Sequence, residues 1–140
     1  MKKLSSSSRI YIAKSQVKNT SLPKNTVERG VFAAKNIKKS ETIEVCPLIL
    51  VPKNDTANLT ETILVTYFFY FGKDKMAVVL GFGSLYNHSY TPNAKYKINE
   101  KAQTITFTAI RNIKKDEEIT FNYKFGNPKN SSPLWFEVGK

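Results

Sequence analysis

The feature that most constrains the fold of this sequence is the shortness of its apolar runs, which are separated by polar turns. Several runs alternate apolar with polar residues, and this two-residue period is typical of a half-buried β-strand. No segment repeats its apolar residues at helical spacing over the length of a long amphipathic helix. We therefore predict a mostly β fold with many short strands and few short helical turns.

The predicted elements follow from this patterning. Strand character is found in residues 9–13, 31–33, 42–51, 76–80 and 119–122. Residues 96–98 and 104–108 alternate around a polar turn, which predicts a hairpin. Turn-forming residues are concentrated in 14–26 and 54–58, where we predict a loop and a turn. Residues 59–71 are compatible with a short helix leading into a strand, but the spacing of their apolar residues does not distinguish helix from strand.

The sequence contains one internal repeat. Residues 33–43 match residues 109–119 in order over eleven positions. Each copy predicts a strand, a basic turn, and an acidic residue at the start of the next strand. Two copies are too few for a solenoid.

Length and charge limit the class of protein to which this chain can belong. A chain of 140 residues is one domain, and its net charge is +11. A basic chain favours polyanionic partners, but only three of its 22 basic residues are arginines, the side chains that clamp phosphates and read bases. Compositional drift toward lysine explains the charge equally well. Cys46 and His88 are single, which excludes an internal disulfide and an ordinary zinc cluster.

The single histidine lies in a polar segment, residues 87–93, behind Gly81 and Gly83. A lone histidine is more often structural than catalytic. Its neighbours bond to backbone, however, so we predict a tightly tied ligand-binding loop rather than a strand. No nucleophile elbow or phosphate-binding glycine pattern accompanies it.

Tyrosines form a second group of candidate residues. Aromatic residues on a β surface belong to the core by default. A tyrosine cluster also suits an alkylammonium channel, because it offers ring faces to a cation and hydroxyls to a lone pair. The candidates are Tyr67, Tyr86, Tyr96, Phe121, Tyr123, Trp135 and Phe136.

Three segments in this order resemble the motifs of the SET domain family: residues 28–33, residues 80–94 and residues 113–123. The resemblance covers residues 9–126 and is greatest to the small free-standing SET proteins of viruses and bacteria. It implies small curved β-sheets and a C-terminal pseudoknot that brings the second and third motifs together. Residues 1–8 are then a flexible N-terminus, and residues 127–140 close the cofactor site.

The resemblance also implies an activity, the transfer of a methyl group from S-adenosylmethionine to a protein lysine. The implied catalytic residues are Tyr123, Tyr67 and Tyr96. The implied cofactor-binding residues are Glu28, Arg29, Gly30, Asn87, His88, Tyr123 and Trp135. The implied substrate channel includes Phe121 and Tyr86. Phe121 is the residue that permits more methyl groups, whereas Tyr96 could crowd the channel, so the degree of methylation is left open.

The chain departs from the family pattern at three glycines. Glu28 replaces the first glycine of the first motif, and Ser40 and Asp116 stand where turn glycines are common.

The implied partner is a protein substrate with a target lysine, a histone or another basic protein. Association with an anionic nucleoprotein or nucleic acid is a further expectation, since a basic enzyme should repel free basic tails. We expect a monomer or homodimer without membrane association, located in the cytoplasm, or in the host nucleus for a viral or intracellular bacterial source. The alternative function is a binding module, either an inactive SET-like domain or a basic β-domain.

Overall fold

The computed structural model describes residues 9–19, 28–71, 75–124 and 138–139. The strands in these ranges are β1 (Ile10–Lys14), β2 (Lys18–Asn19), β3 (Arg29–Ala33), β4 (Thr42–Val51), β5 (Phe69–Phe71), β6 (Lys75–Val79), β7 (Asn87–His88), β8 (Ala94–Asn99), β9 (Thr104–Ala109), β10 (Glu118–Phe121) and β11 (Val138–Gly139). The helix α1 spans Lys53–Thr60, and two 3₁₀ turns span Ile63–Thr66 and Gly83–Leu85.

A four-stranded sheet carries both polar motifs, in the order β1-β3-β10-β7. Strand β10 pairs antiparallel with β3 and parallel with β7, where Thr120 lies opposite Asn87 and Phe121 opposite His88. Parallel neighbours require a long crossover connection. Here it runs through β8 and β9 of another sheet, so two distant motifs lie side by side.

The five-stranded sheet has the order β5-β6-β4-β9-β8 and is antiparallel throughout. The β8–β9 hairpin confirms the predicted one. A register shift between Thr42 and Glu44 marks a β-bulge in β4. Bulges re-aim side chains, and Glu44 contributes to the site described below. The third sheet pairs β2 with β11.

The core is formed by the alternating inward residues of the two larger sheets. In the four-stranded sheet, Val31 lies between Ile12 and Ile119, and all three are at most 2% exposed. In β9, buried Ile105 and Phe107 alternate with half-buried threonines. Burial of each such side chain stabilises the fold by ~1.5–3 kcal/mol.

The two copies of the internal repeat pair with each other. Ile37 and Ile113 exchange two backbone hydrogen bonds of 2.8 Å. Ser40 and Asp116 occupy equivalent turn positions with φ of 74° and 68°, in the left-handed region that favours glycine. The repeat is therefore a structural feature and not only a similarity in composition.

Three local predictions are wrong. The loop predicted at residues 14–26 contains the two-residue strand β2, which pairs with β11. The turn predicted at residues 54–58 is part of α1, which begins after Pro52 with Asp55 in its first turn. None of the helix residues is buried, so no apolar stripe marks it in the sequence. The loop predicted at Asn87 and His88 instead contains the two-residue strand β7, because β10 supplies its hydrogen-bonding partner. Residues 59–71 form the end of α1, a 3₁₀ turn and β5.

Within the ranges described, no helix is long and apolar enough to span a membrane. The same residues contain no group of three or more histidines, cysteines and carboxylates suited to a metal ion. The predicted flexible N-terminus, residues 1–8, lies outside the described residues. So does the predicted closing segment, except for β11.

Candidate active site

The site is built around the side-chain amide of Asn87. Its Nδ2 lies 2.9 Å from each of three acceptors, Ser15 Oγ, the Arg29 carbonyl oxygen and Glu118 Oε1, which share its two N–H groups. Ser15 also donates through Oγ to Glu118 Oε1 at 2.7 Å. These four residues, which we call the polar cluster, connect the end of β1 to β3, β7 and β10. All three sequence motifs therefore meet at one place.

Gly30 is the point of closest approach to this cluster. A Cβ atom at this position would overlap the Glu118 carboxylate and lie 3.1 Å from Asn87 Nδ2. The glycine of the first motif is thus required by the close approach of two side chains to the backbone. Next to it, the Glu28 carbonyl accepts a 2.8 Å hydrogen bond from the backbone of Ser15, so Glu28 borders the cluster through its main chain.

His88 is a buried, neutral histidine. Its Nδ1 accepts a 3.0 Å hydrogen bond from the backbone N–H of Tyr123, which assigns the ring proton to Nε2. Burial, with a smaller contribution from the charge of Lys124, lowers the pKa of His88 to about 4. Among the residues described, Nε2 has no hydrogen-bond partner. His88 therefore fixes the backbone of Tyr123 and presents an unsatisfied donor.

Tyr123 lies against His88, with ring centroids 5.3 Å apart, and its hydroxyl donates to the Tyr86 carbonyl oxygen at 2.8 Å. Burial raises the pKa of Tyr123, and the neighbouring Glu118 and Tyr67 raise it further. The hydroxyl therefore stays protonated at neutral pH. It can orient a reacting group but cannot act as a base.

An aromatic cluster adjoins Tyr123. Phe121 lies 5.4 Å from Tyr123 and 5.1 Å edge-on from Tyr96, measured between ring centroids. Burial raises the pKa of Tyr96, so this hydroxyl is also neutral. Tyr96, Phe121 and Tyr123 are thus neighbours in the fold.

Tyr86 differs from its predicted use. Its ring is 1% exposed and stacks on Phe107 with centroids 4.4 Å apart. Its hydroxyl donates to Glu44 Oε1 at 2.9 Å, and burial followed by the charge of Glu44 raises its pKa strongly. Because the side chain belongs to the core, Tyr86 contributes to the site through its carbonyl oxygen rather than its ring.

Glu44 braces the glycine-containing loop that precedes Asn87. Besides the Tyr86 hydroxyl, it accepts the backbone N–H of Phe82 at 3.1 Å. Gly81, in this loop, has φ of 65° and passes so close that a Cβ atom would lie 2.8 Å from Glu44 Oε2. The carboxylate therefore holds the loop that positions the Tyr86 carbonyl.

Ten of the eleven predicted site residues lie in described parts of the chain; Trp135 lies outside the described residues. The sequence interpretation missed Ser15, Glu44 and the role of Glu118. Glu118 stands within the third motif and could have been found there. Ser15 and Glu44 carry no sequence signal, since only the fold brings them to the site.

Comparison with known proteins also indicates the SET domain family. The SET domain family model matches residues 28–124. A histone-lysine N-methyltransferase of Schizosaccharomyces pombe, specific for lysine 37 of histone H3, is 31% identical over 110 residues, which are 78% of this chain and 70% of that protein.

Two solved structures are also similar. A Plasmodium falciparum protein described as a candidate histone methyltransferase is 35% identical with a TM-score of 0.59, over 82% of this chain and 92% of that one. Chaetomium thermophilum Polycomb repressive complex 2, bound to S-adenosylmethionine, is 25% identical with a TM-score of 0.66. That match covers 86% of this chain but only 16% of the matched chain.

Fold, site and similarities together define a protein-lysine methyltransferase that uses S-adenosylmethionine. The chain belongs to the SET domain family. The predicted family, mostly β fold, activity, cofactor and protein substrate are confirmed.

The residues present fit this cofactor. Among the described atoms, Asn87 Oδ1 has no hydrogen bond and can accept from an amino group. The His88 Nε2–H is a buried donor that a bound acceptor would satisfy. The Glu118 carboxylate, which lies directly against Gly30, and the tyrosine rings are chemically suited to a sulfonium cation.

Proposed function

We propose that this chain methylates a lysine of a histone, with Tyr123 as the catalytic tyrosine. The observation that carries the assignment is the Tyr123 hydroxyl, held by the Tyr86 carbonyl beside the polar cluster. Support for the substrate comes from the Schizosaccharomyces pombe relative, whose substrate is histone H3. The proposed location is wherever that substrate is found, the host nucleus in the case of a virus or intracellular bacterium.

The proposed roles follow from position. Glu28, Arg29 and Gly30 hold the cofactor through their main chain, and Asn87 and His88 hold it through the amide and ring described above. Tyr67 and Tyr96 lie along the alkyl part of the lysine next to Tyr123, and Phe121, which is 1% exposed, packs against Tyr96 and Tyr123 from the core. A narrow aromatic passage favours an alkyl chain and excludes water from the amine.

When bound, S-adenosylmethionine supplies the methyl group that moves from sulfur to the lysine nitrogen. The chain contributes positioning, since displacement needs the amine lone pair in line with the methyl. Because the Tyr123 hydroxyl donates its hydrogen bond to the Tyr86 carbonyl, both oxygen atoms are fixed before the reaction and have lone pairs left to accept from the amine. His88 has a pKa of about 4 and its Nδ1 lone pair accepts the Tyr123 N–H, and the Tyr123 hydroxyl stays protonated, so both are poor bases and the lysine gives up its proton to water before attack.

The charge of the chain bears on the form of the substrate. A net charge of +11 repels a free histone tail, whereas a histone on nucleic acid is part of an anionic assembly. We therefore propose that the substrate is presented in a nucleoprotein.

The test is incubation of the full chain with isotopically labelled S-adenosylmethionine and either free histones, nucleosomes or unrelated basic proteins, read by mass spectrometry. The expected result is label on a histone lysine, higher on nucleosomes than on free histones. Equal labelling of unrelated basic proteins would contradict the histone proposal. Cofactor binding without label on any protein would favour the binding module.

A further inference from the structure

The paired repeat presents a basic surface with approximate twofold symmetry. Around the Ile37–Ile113 bridge, the backbone N–H of Lys39 donates to Asn112 Oδ1 and that of Lys115 donates to Asn36 Oδ1, both at 2.9 Å. Each copy thus caps the turn of the other in the same way. The four exposed lysines of these turns are Lys38, Lys39, Lys114 and Lys115, which we call the lysine patch.

The acidic residues of the repeat are already engaged. Glu41 accepts the backbone N–H of Lys38 at 3.1 Å and pairs with Arg9 at 2.6 Å. Its counterpart Glu117 accepts the backbone N–H of Lys114 at 2.9 Å and pairs with Arg111 at 2.6 Å. Both carboxylates therefore fix the turns and neutralise arginines instead of lysines.

The ammonium groups of the lysine patch are left without acidic partners. In the part of the chain that the structure describes, none of the four forms an ion pair within 4.0 Å. All four lysines lie within two residues of the central bridge. Four like charges on one small, rigid unit raise the local positive potential, which an anionic partner would relieve.

We propose that the lysine patch binds the phosphate backbone of double-stranded nucleic acid. Lysines act as point charges that contact phosphates without reading bases. Duplex DNA has local twofold axes that relate its two strands, so two symmetry-related lysine pairs can meet both backbones in the same way. An acidic peptide offers no such symmetry. The inference rests on the nucleoprotein association proposed above and assigns it to one surface.

The test is fluorescence anisotropy with a mixed-sequence 20-base-pair DNA duplex, using the full chain. The patch variant combines Lys38→Ala, Lys39→Ala, Lys114→Ala and Lys115→Ala. The control removes the same charge from four exposed lysines in the region of the five-stranded sheet: Lys53→Ala, Lys95→Ala, Lys97→Ala and Lys101→Ala.

The patch variant should bind DNA at least about tenfold more weakly. The negative slope of the logarithm of the association constant against the logarithm of the salt concentration should become shallower by about 3. The control should lose no more than about threefold. The two half-variants, K38A/K39A and K114A/K115A, should have equal effects because of the symmetry. They also serve as the test if the fourfold variant does not fold.

Equal losses in patch and control variants would overturn the inference while leaving nucleic-acid association standing. No DNA binding by the unmodified chain would overturn both. Tighter binding of polyglutamate than of DNA would assign the patch to an acidic protein instead. Methylation of free histone H3 should be unchanged in the patch variant, so failure of the methyltransferase proposal is distinguished by that separate assay.

Discussion

The hydroxyl of Tyr123 donates a 2.8 Å hydrogen bond to the carbonyl oxygen of Tyr86, a residue whose own hydroxyl is held by Glu44. A catalytic side chain is thus fixed by the main chain of a core residue. Its orientation therefore depends on the packing of the core as well as on the site itself.

Replacement Tyr123→Phe should lower the single-turnover methylation rate about 100-fold or more, because the oxygen that orients the reacting amine is lost and one fixed transition-state hydrogen bond contributes this much elsewhere. Cofactor affinity by calorimetry should change less than about threefold, since the ring remains. Tyr70→Phe is the control, because Tyr70 is 46% exposed. A rate within threefold of the unmodified chain would show that Tyr123 is not catalytic.

Replacement Gly30→Ala should weaken S-adenosylmethionine binding about tenfold, because the new methyl displaces the Glu118 carboxylate from Asn87 and Ser15. The severe overlap is with the Glu118 carboxylate, while Asn87 Nδ2 is only a tight contact at 3.1 Å, so adding Glu118→Ala to Gly30→Ala should cost little more. Calorimetry on both single variants and the double variant measures this coupling. Fully additive losses would mean that Gly30 acts without Glu118.

The stability of the fold should depend on pH through His88. Its pKa is about 4 in the folded chain and about 6.5 when unfolded, so the unfolded state binds more protons between these values. The stabilisation is complete above about pH 6.5 and is lost as the pH falls toward 4, by no more than about 3 kcal/mol.

Urea unfolding of the unmodified chain and of His88→Gln at pH 7 and pH 4.5 isolates this contribution, since all other groups titrate in both. The stability difference between the two should shrink at the lower pH. A difference that does not change with pH would show that His88 is not held neutral.

The left-handed turns predict opposite effects of two changes at Ser40, where φ is 74°. Ser40→Gly relieves strain of about 1–2 kcal/mol but adds unfolded-state entropy of about 0.5–1 kcal/mol, so a gain of up to about 1.5 kcal/mol is expected. Ser40→Val should lose at least about 1 kcal/mol.

Thermal unfolding measures both Ser40 variants. Asp116→Gly is the companion, and its gain should be smaller because Asp116 also accepts a 2.7 Å hydrogen bond from the Tyr11 hydroxyl. Unchanged stability in Ser40→Val would contradict the strain.

Alternation along the chain was enough to predict the β8–β9 hairpin, because more buried and less buried residues alternate along both of its strands. Helix α1 escaped prediction since it buries nothing, and β7 escaped because two residues carry no period. Short strands of this kind exist only through their neighbours.

The motifs indicated Asn87, His88 and Tyr123, but not what holds them. Ser15 follows an ordinary strand, so nothing in its sequence neighbourhood indicates its contact with Asn87. Glu44 lies at a β-bulge that no local sequence pattern predicts. Tyr86 shares the sequence neighbourhood of the site, yet its ring turns into the core. Side-chain direction at irregular backbone is set by tertiary contacts, which a single sequence does not express.

The insertion of β10 between β3 and β7 has a consequence for how the protein matures. Asn87 bonds to Arg29, 58 residues earlier, and to Glu118, 31 residues later. A growing chain on the ribosome therefore cannot assemble the polar cluster until β10 has left the exit tunnel and inserted between β3 and β7, which are made earlier. Capture of S-adenosylmethionine thus requires synthesis at least as far as β10, and a chain halted before Glu118 lacks part of the site.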